Sequence, residues 1–242
     1  MGHMSAPRTA MVLAAGLGVR MRPLSDAHPK PLVPLDGKPL IDHVLDRLAA
    51  AGVEKAVVNV HHMADQIEAH LTSRTSPAVE ISDERDLLLD TGGGVARALA
   101  KLGDGPFFIH NSDSVWIEGA RPCLEQLAGA WNPDVMNTLL LLAPVTSALG
   151  YDGRGDFDLG PDGKLSRPDM GEDAAFVFTG VSLTHRRLFE NAPEGKFSLN
   201  ILWDKAINEG RAHGLRHDGV WMHVGTPDAV RQAEECMRRA QG

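Results

Sequence analysis

Cysteine is nearly missing from this chain. Its two copies, Cys123 and Cys236, lie far apart. That excludes a disulfide framework or a zinc spacing and suits a reducing, cytoplasmic setting. No apolar run approaches the ~20 residues that a membrane-spanning helix needs, and no secretory signal is evident at the start. Cations are in the minority: 24 Lys and Arg stand against 32 Asp and Glu, a net charge of −8. Such a balance argues against a nucleic-acid backbone as partner. Internal repeats and low-complexity tracts are also lacking. Aromatics are few, with one Tyr and four Trp; Trp116, Trp131, Trp203 and Trp221 read most simply as packing residues. What is there is 242 residues, 43% of them hydrophobic, enough for one sizeable core. Met1 to Met4 read as an expression scar, so the domain is expected over residues 5–242.

Hydrophobic patterning alternates between strands and helices. Ala10 to Leu13, Lys55 to Val60, Val79 to Ser82, Pro106 to Asn111, Asn137 to Ala143, Phe176 to Thr184 and Val220 to Val224 read as strands. Helices are expected from Pro39 to Gly52, Ala64 to Leu71, Gly93 to Lys101 and Leu199 to Asn208, and from Pro227 onward. Continuous apolar strands separated by helices imply a parallel sheet buried on both faces. The Gly- and Asp-rich stretch at about 150–167 carries a hairpin signal at Asp162-Gly163. The fold class is therefore α/β, with a Rossmann-like, mostly parallel sheet, helices on both faces and a small β insertion.

In open sheets of this kind, ligands sit at the carboxyl ends of strands. The segment after the first strand, LAAGLGVRMRPLSDAHPKPLVPLDGKPLI (Leu13 to Ile41), concentrates glycines, prolines and cations. It is not the dinucleotide fingerprint, because Met21 stands where the third glycine belongs. It is not a P-loop either, since Leu32 and Pro39 break that pattern around Gly37-Lys38. What remains is a glycine loop whose amides can approach phosphates, stiffened by Pro23, Pro29 and Pro31. Arg20 and Lys30 are thereby aimed at one anion: Arg as a fork, Lys as a point charge.

That stretch resembles the signature of the sugar-1-phosphate nucleotidylyltransferases, matching at Gly16, Gly18, Arg20, Met21, Pro23, Leu24, Ser25, Pro29, Lys30 and Pro31. The resemblance extends over nearly the whole chain and implies the remaining roles. Ala14, Ala15, Gly16 and Gly18, with Arg20, would cradle a nucleoside triphosphate. Lys30 would contact the reacting phosphates. Asp113 would bind Mg²⁺. The Leu89 to Gly94 loop, through Gly92 and Gly93, would meet the base. Gly180 would lie near the sugar. Within the family, the short chain, the Leu-Asp-Thr-Gly-Gly-Gly segment and Gly153 to Phe157 are most similar to the N-acetylmuramate α-1-phosphate uridylyltransferases of cell-wall sugar recycling. Short mannose-1-phosphate guanylyltransferases share much of the pattern. The implied substrates are UTP and N-acetylmuramate 1-phosphate, with no nucleic acid or membrane partner, and the enzyme would be a monomer or homodimer.

Three departures stand out. Ser112 replaces the usual glycine before Asp113. His223 replaces the second carboxylate, leaving open whether it ligates metal or touches sugar. Ser166-Arg167-Pro168 stands where relatives carry Glu-Lys-Pro. The first two keep a catalytically silent sugar-nucleotide sensor in view. Tyr151 and Trp221 are further candidates for the sugar pocket. Elsewhere plainer readings are expected. His61-His62 are strand-end polar residues, Asp83 to Asp86 form a solvated charge run, Lys38 belongs to a turn, and Arg238 and Arg239 suit a helix carboxyl end.

Overall fold

The computed structural model describes residues 7–241; the expected four-residue scar lies outside them. In chain order the elements are β1 (Thr9–Leu13), β2 (Pro34–Leu35), β3 (Lys38–Pro39), α1 (Leu40–Ala50), β4 (Lys55–Val60), α2 (Ala64–Leu71), β5 (Ala78–Asp83) and α3 (Asp90–Leu102). There follow β6 (Phe107–Asn111), β7 (Ser114–Ile117), α4 (Cys123–Ala130), β8 (Thr138–Pro144), β9 (Asp158–Leu159), β10 (Leu165–Ser166), β11 (Phe176–Thr184), α5 (Leu199–Asn208), β12 (Ala212–Arg216), β13 (Val220–His223) and α6 (Pro227–Gln241).

Seven strands form the main sheet in the order β12-β8-β11-β6-β1-β4-β5. All neighbouring pairs are parallel except those of β11, which runs antiparallel to both β6 and β8. The α/β class with a mostly parallel sheet thus holds. Its two faces explain the continuous apolar strands. Ala10 and Val12 of β1 pack with Val44 and Leu48 of α1, Ile67 of α2 and Leu127 of α4. Met11, between them, packs on the opposite face with Val95 and Ala98 of α3 and Leu202 and Trp203 of α5. Alternate side chains of one strand so enter two cores, as the pleat requires.

A third cluster matters more for function. Met21, Val33 and Leu35 from the long first loop, with Leu40 at the start of α1, pack with Val115, Met222, Val224 and Val230. Here β13 does not join the main sheet as a late strand; it pairs antiparallel with β7, setting His223 opposite Ser114. The small pair and α6 therefore buttress the loop that carries the cations. The hairpin β9–β10 forms around Asp162-Gly163, with Gly163 at a φ of 79°.

Two local expectations change. Helix α3 begins at Asp90, so Gly92 and Gly93 lie in its first turn rather than in an open loop. The cause is tertiary: both amides donate to the Phe197 carbonyl, at 2.9 and 3.1 Å, which satisfies donors that a helix start leaves free. The charge run Asp83 to Asp86 is only partly solvated. Arg85 pairs with Asp65, Glu68 and Asp83 at the surface, but Glu84 is 0% exposed.

Candidate active site

Three strands end level at the carboxyl edge of the sheet: Leu13 of β1 is in register with Asn59 of β4 and with Asn111 of β6. Above them opens a cavity of about 410 Å³. One wall is the glycine loop from Ala14 to Met21, joined by Lys30 and Pro31. The floor is Asn111, Ser112 and Asp113, and the far wall includes Glu84, Leu88, Asp90 and Thr91. Arg20, Lys30 and Asp113 thus meet in one cleft, as expected.

The loop's geometry follows from a few contacts. Gly18 sits at a φ of 65°, and a β-carbon there would lie 3.0 Å from the Lys30 Cβ. Glycine supplies the left-handed backbone and lets the two segments touch. The Ser25 hydroxyl donates to the Gly18 carbonyl at 2.8 Å, and the Met21 amide donates to the same carbonyl at 2.9 Å. Met21, at 0% exposure, anchors the loop from below. Gly16, by contrast, faces open space. Arg20 is exposed and makes no ion pair among the described residues, so its fork is available to an incoming anion.

Lys30 starts a single 3-10 turn after Pro29, and its Nζ donates to Asp113 Oδ2. Both side chains are largely sheltered. Burial pushes the Asp113 carboxyl upward, but the charge and hydrogen bond of Lys30 outweigh it and hold the group below the usual carboxylate range. Asp113 is therefore ionised at neutral pH. The Ser112 amide donates to the Leu13 carbonyl at 3.1 Å and ties this turn to β1; the Ser112 side chain is buried within the cleft lining.

Beside Asp113 lies an aromatic group. The Tyr151 and His223 rings are 6.1 Å apart, as are those of Tyr151 and Trp221, and Trp221 and His223 are 5.8 Å apart. Burial pushes the His223 imidazole below its ordinary value, partly opposed by the nearby Asp113 carboxylate, so it is neutral at neutral pH. Gly225 permits the ring's position, since a β-carbon there would be 2.6 Å from His223 Nε2. Gly180 sits at a φ of 88°, where a β-carbon would lie 2.3 Å from Ser114 Oγ; it serves the irregular stretch of β11 between Phe178 and Ser182.

Two of the expected positions carry packing contacts as well. Gly92 and Gly93 do not border the cavity. A β-carbon on Gly92 would be 2.4 Å from the Phe197 ring and one on Gly93 would be 2.3 Å from the Gly195 carbonyl oxygen, so these glycines serve close packing of α3. Trp221 is buried, and its indole N–H donates to the Thr179 carbonyl at 3.0 Å. Asn59, Glu84, Asp90, Thr91 and Lys196 border the cavity instead. Asn59 could have been found as a polar residue near the end of a buried strand, whereas nothing local marks Glu84 or Lys196. Asp90 carries a φ of 62°, an uncommon conformation often stored at functional sites.

No group of three or more His, Cys, Asp or Glu able to hold a metal occurs among the described residues. Asp113 is a carboxylate on the floor of the cleft, and Mg²⁺ in phosphoryl-transfer sites is commonly held by one or two carboxylates plus substrate phosphates.

This cleft agrees with what the chain is similar to. The sequence model of the MobA-like NTP transferase domain matches residues 10–138. An N-acetylmuramate alpha-1-phosphate uridylyltransferase from Caulobacter vibrioides is 49% identical over 97% of this chain and 99% of its own length. Another of that description, from Neisseria meningitidis serogroup B, is 33% identical over 93% of the chain and 96% of its own. Among solved structures, a putative glucose-1-phosphate thymidylyltransferase from Bacillus anthracis superposes with a TM-score of 0.77 at 16% identity, covering 95% of each chain; it supports the fold. With a nucleotide-sized cleft built from the glycine loop, Arg20, Lys30 and Asp113, and with near-full-length relatives of one description, the chain belongs to the N-acetylmuramate α-1-phosphate uridylyltransferase family of MobA-like NTP transferase domains.

Proposed function

We propose that this enzyme transfers the uridylyl group of UTP to N-acetylmuramate 1-phosphate, forming the UDP-sugar and pyrophosphate. The observation that carries it is the sheltered Lys30–Asp113 pair at the floor of the cleft, between the glycine loop and the aromatic group. The choice of UTP and of this sugar phosphate draws support from the two near-full-length relatives.

The reaction joins two anions, so the protein's task is alignment and charge compensation. An oxygen of the sugar phosphate attacks the α-phosphorus of UTP in line. The α-phosphorus–oxygen bond to pyrophosphate breaks, and no covalent enzyme intermediate is needed. The glycine loop amides and Arg20 receive the triphosphate, and Arg20 offsets the charge that grows on the leaving pyrophosphate. Lys30 exchanges its contact with Asp113 for the reacting phosphates and lowers the repulsion between them. Asp113 would hold Mg²⁺, and the ion would supply further charge neutralisation at the phosphates. Neutral His223 and the Tyr151 ring face the sugar, where an uncharged imidazole can exchange hydrogen bonds with hydroxyl or carboxylate oxygens.

A matrix of the four nucleoside triphosphates against several sugar 1-phosphates, with Mg²⁺ and with pyrophosphate as the readout, tests this directly. UTP with N-acetylmuramate 1-phosphate should give the highest kcat/KM. Faster turnover with GTP and mannose 1-phosphate would transfer the assignment to a guanylyltransferase. Binding of the UDP-sugar with no pyrophosphate from any pair would make the protein a sensor.

A further inference from the structure

Glu84 is the one carboxylate of the cleft lining that is fully buried, and it makes no ion pair among the described residues. Burial pushes its carboxyl upward, opposed in part by a hydrogen bond from Asn59. Asn59 Nδ2 donates to Glu84 Oε1 at 2.8 Å, and the Ala14 amide donates to Asn59 Oδ1 at 2.7 Å. The other carboxylate oxygen accepts a longer bond from the Leu89 amide, at 3.4 Å. Ala14 begins the glycine loop. Leu89 immediately precedes Asp90 and Thr91 on the far wall. A continuous chain of three bonds therefore crosses behind the cleft from one wall to the other.

We infer that Asn59 and Glu84 are positioning residues that fix the backbone of the glycine loop against the start of α3 for nucleotide binding. The inference rests on the reading of this cleft as the nucleotide site. An amide side chain can turn over, presenting either its oxygen or its amino group to a neighbour. The Ala14 N–H on one side can only donate, and the Glu84 carboxylate oxygen on the other accepts, so the two together remove that freedom. With Glu84 on one side, the Asn59 amino group must face it and the carbonyl oxygen must face Ala14. The space is also closed: a β-carbon on Gly94 would lie 2.8 Å from both Asn59 Nδ2 and Glu84 Oε1, so the helix can approach the pair only at a glycine. The polar pair is thus accommodated at the expense of a side chain on α3, where simple fastening of the helix would have been served by apolar packing.

The relay has a direction, and reversing it is the test. Asn59→Asp sets two carboxylates against each other. Adding Glu84→Gln restores every bond, with the one between the two side chains running in the opposite sense. The carboxylate introduced on β4 then accepts from the Ala14 amide and from the amino group of the introduced amide, whose oxygen accepts from Leu89. UTP affinity is measured by calorimetric titration, alongside KM for each substrate. N59D should weaken UTP binding and raise its KM by about 30-fold and E84Q by about fivefold, with the sugar-phosphate KM within about threefold of wild type. The double variant should return to within about threefold of wild type on all three quantities. A purely structural role would instead lower thermal stability and affect both substrates alike. A double variant no better than N59D overturns the relay, and should N59D not fold, relief of the E84Q defect by the second change decides in its place. Absence of UTP binding by the wild type refutes the nucleotide site itself and the relay with it. Wild-type binding with indistinguishable N59D binding refutes only the relay.

Discussion

Replacing Lys30 with Met removes the cation while keeping most of the side chain's length and volume. Lys30 is 14% and Asp113 is 28% exposed at the side chain, so the variant leaves a sheltered carboxylate without its partner. Breaking a fully buried pair costs about 3–5 kcal/mol. Partial access of water to Asp113 reduces that to about 1–2 kcal/mol. For a chain of this size that is a fall in Tm of roughly 2–8 °C. The loss depends on pH in a set direction. Asp113 is held below its ordinary value in the native protein, so its stabilising contribution is complete above the unfolded-state value near ~3.9 and is lost as pH falls through the lower folded value. In the variant only burial remains, which favours the protonated form. The difference in Tm between the two proteins is therefore greatest at neutral pH and shrinks on acidification toward pH ~4. Turnover should fall further than stability. A preorganised charge at two reacting anions is worth about 2.7–4 kcal/mol, so kcat should drop by about 10²-fold or more. The assay is pyrophosphate release at saturating substrates, at a temperature where circular dichroism shows both proteins folded. A folded variant retaining a third or more of the wild-type kcat would refute the place given to Lys30 at the reacting phosphates.

Other expectations are more local. His223→Ala should raise the sugar-phosphate KM by about tenfold, with little change in the Mg²⁺ requirement, if the imidazole meets sugar; a variant needing far more metal at an unchanged sugar KM would make it a ligand. Gly180→Ala places a β-carbon against Ser114 Oγ and the Asn111 amide on a backbone at a φ of 88°, so stability should fall by about 2–4 kcal/mol in denaturant titration; a change within about 0.5 kcal/mol, roughly the tolerance of surface positions, would show that β11 relaxes there.

Much of this protein is legible along the chain. The first loop announces itself because its glycines, prolines and cations act within one contiguous segment. The parallel strands announce themselves because burial on both faces leaves no polar alternation to obscure them. Arg20, Lys30 and Asp113 were each identifiable as candidates, since each follows a strand or an ordered motif. Other features depend on groups distant in sequence. Lys30 and Asp113 meet across 83 positions, and only the close of β6 beside β1 brings them together. The start of α3 moved back to Asp90 because the Phe197 carbonyl, more than 100 residues away, receives the Gly92 and Gly93 amides. Gly92 and Gly93 also admit a phenyl ring and a carbonyl from a segment distant in sequence. Strand β13 reads as one more sheet strand by composition, but the partner that decides its place is β7, a segment short enough to pass for a turn. Glu84, in a run of charges, looks solvated from its neighbours in sequence; it is buried because Asn59 and Leu89 offer it hydrogen bonds. Local propensity and pattern suffice where a residue's partners are its neighbours in the chain, and only the folded structure can decide where the partners are supplied by packing between distant elements.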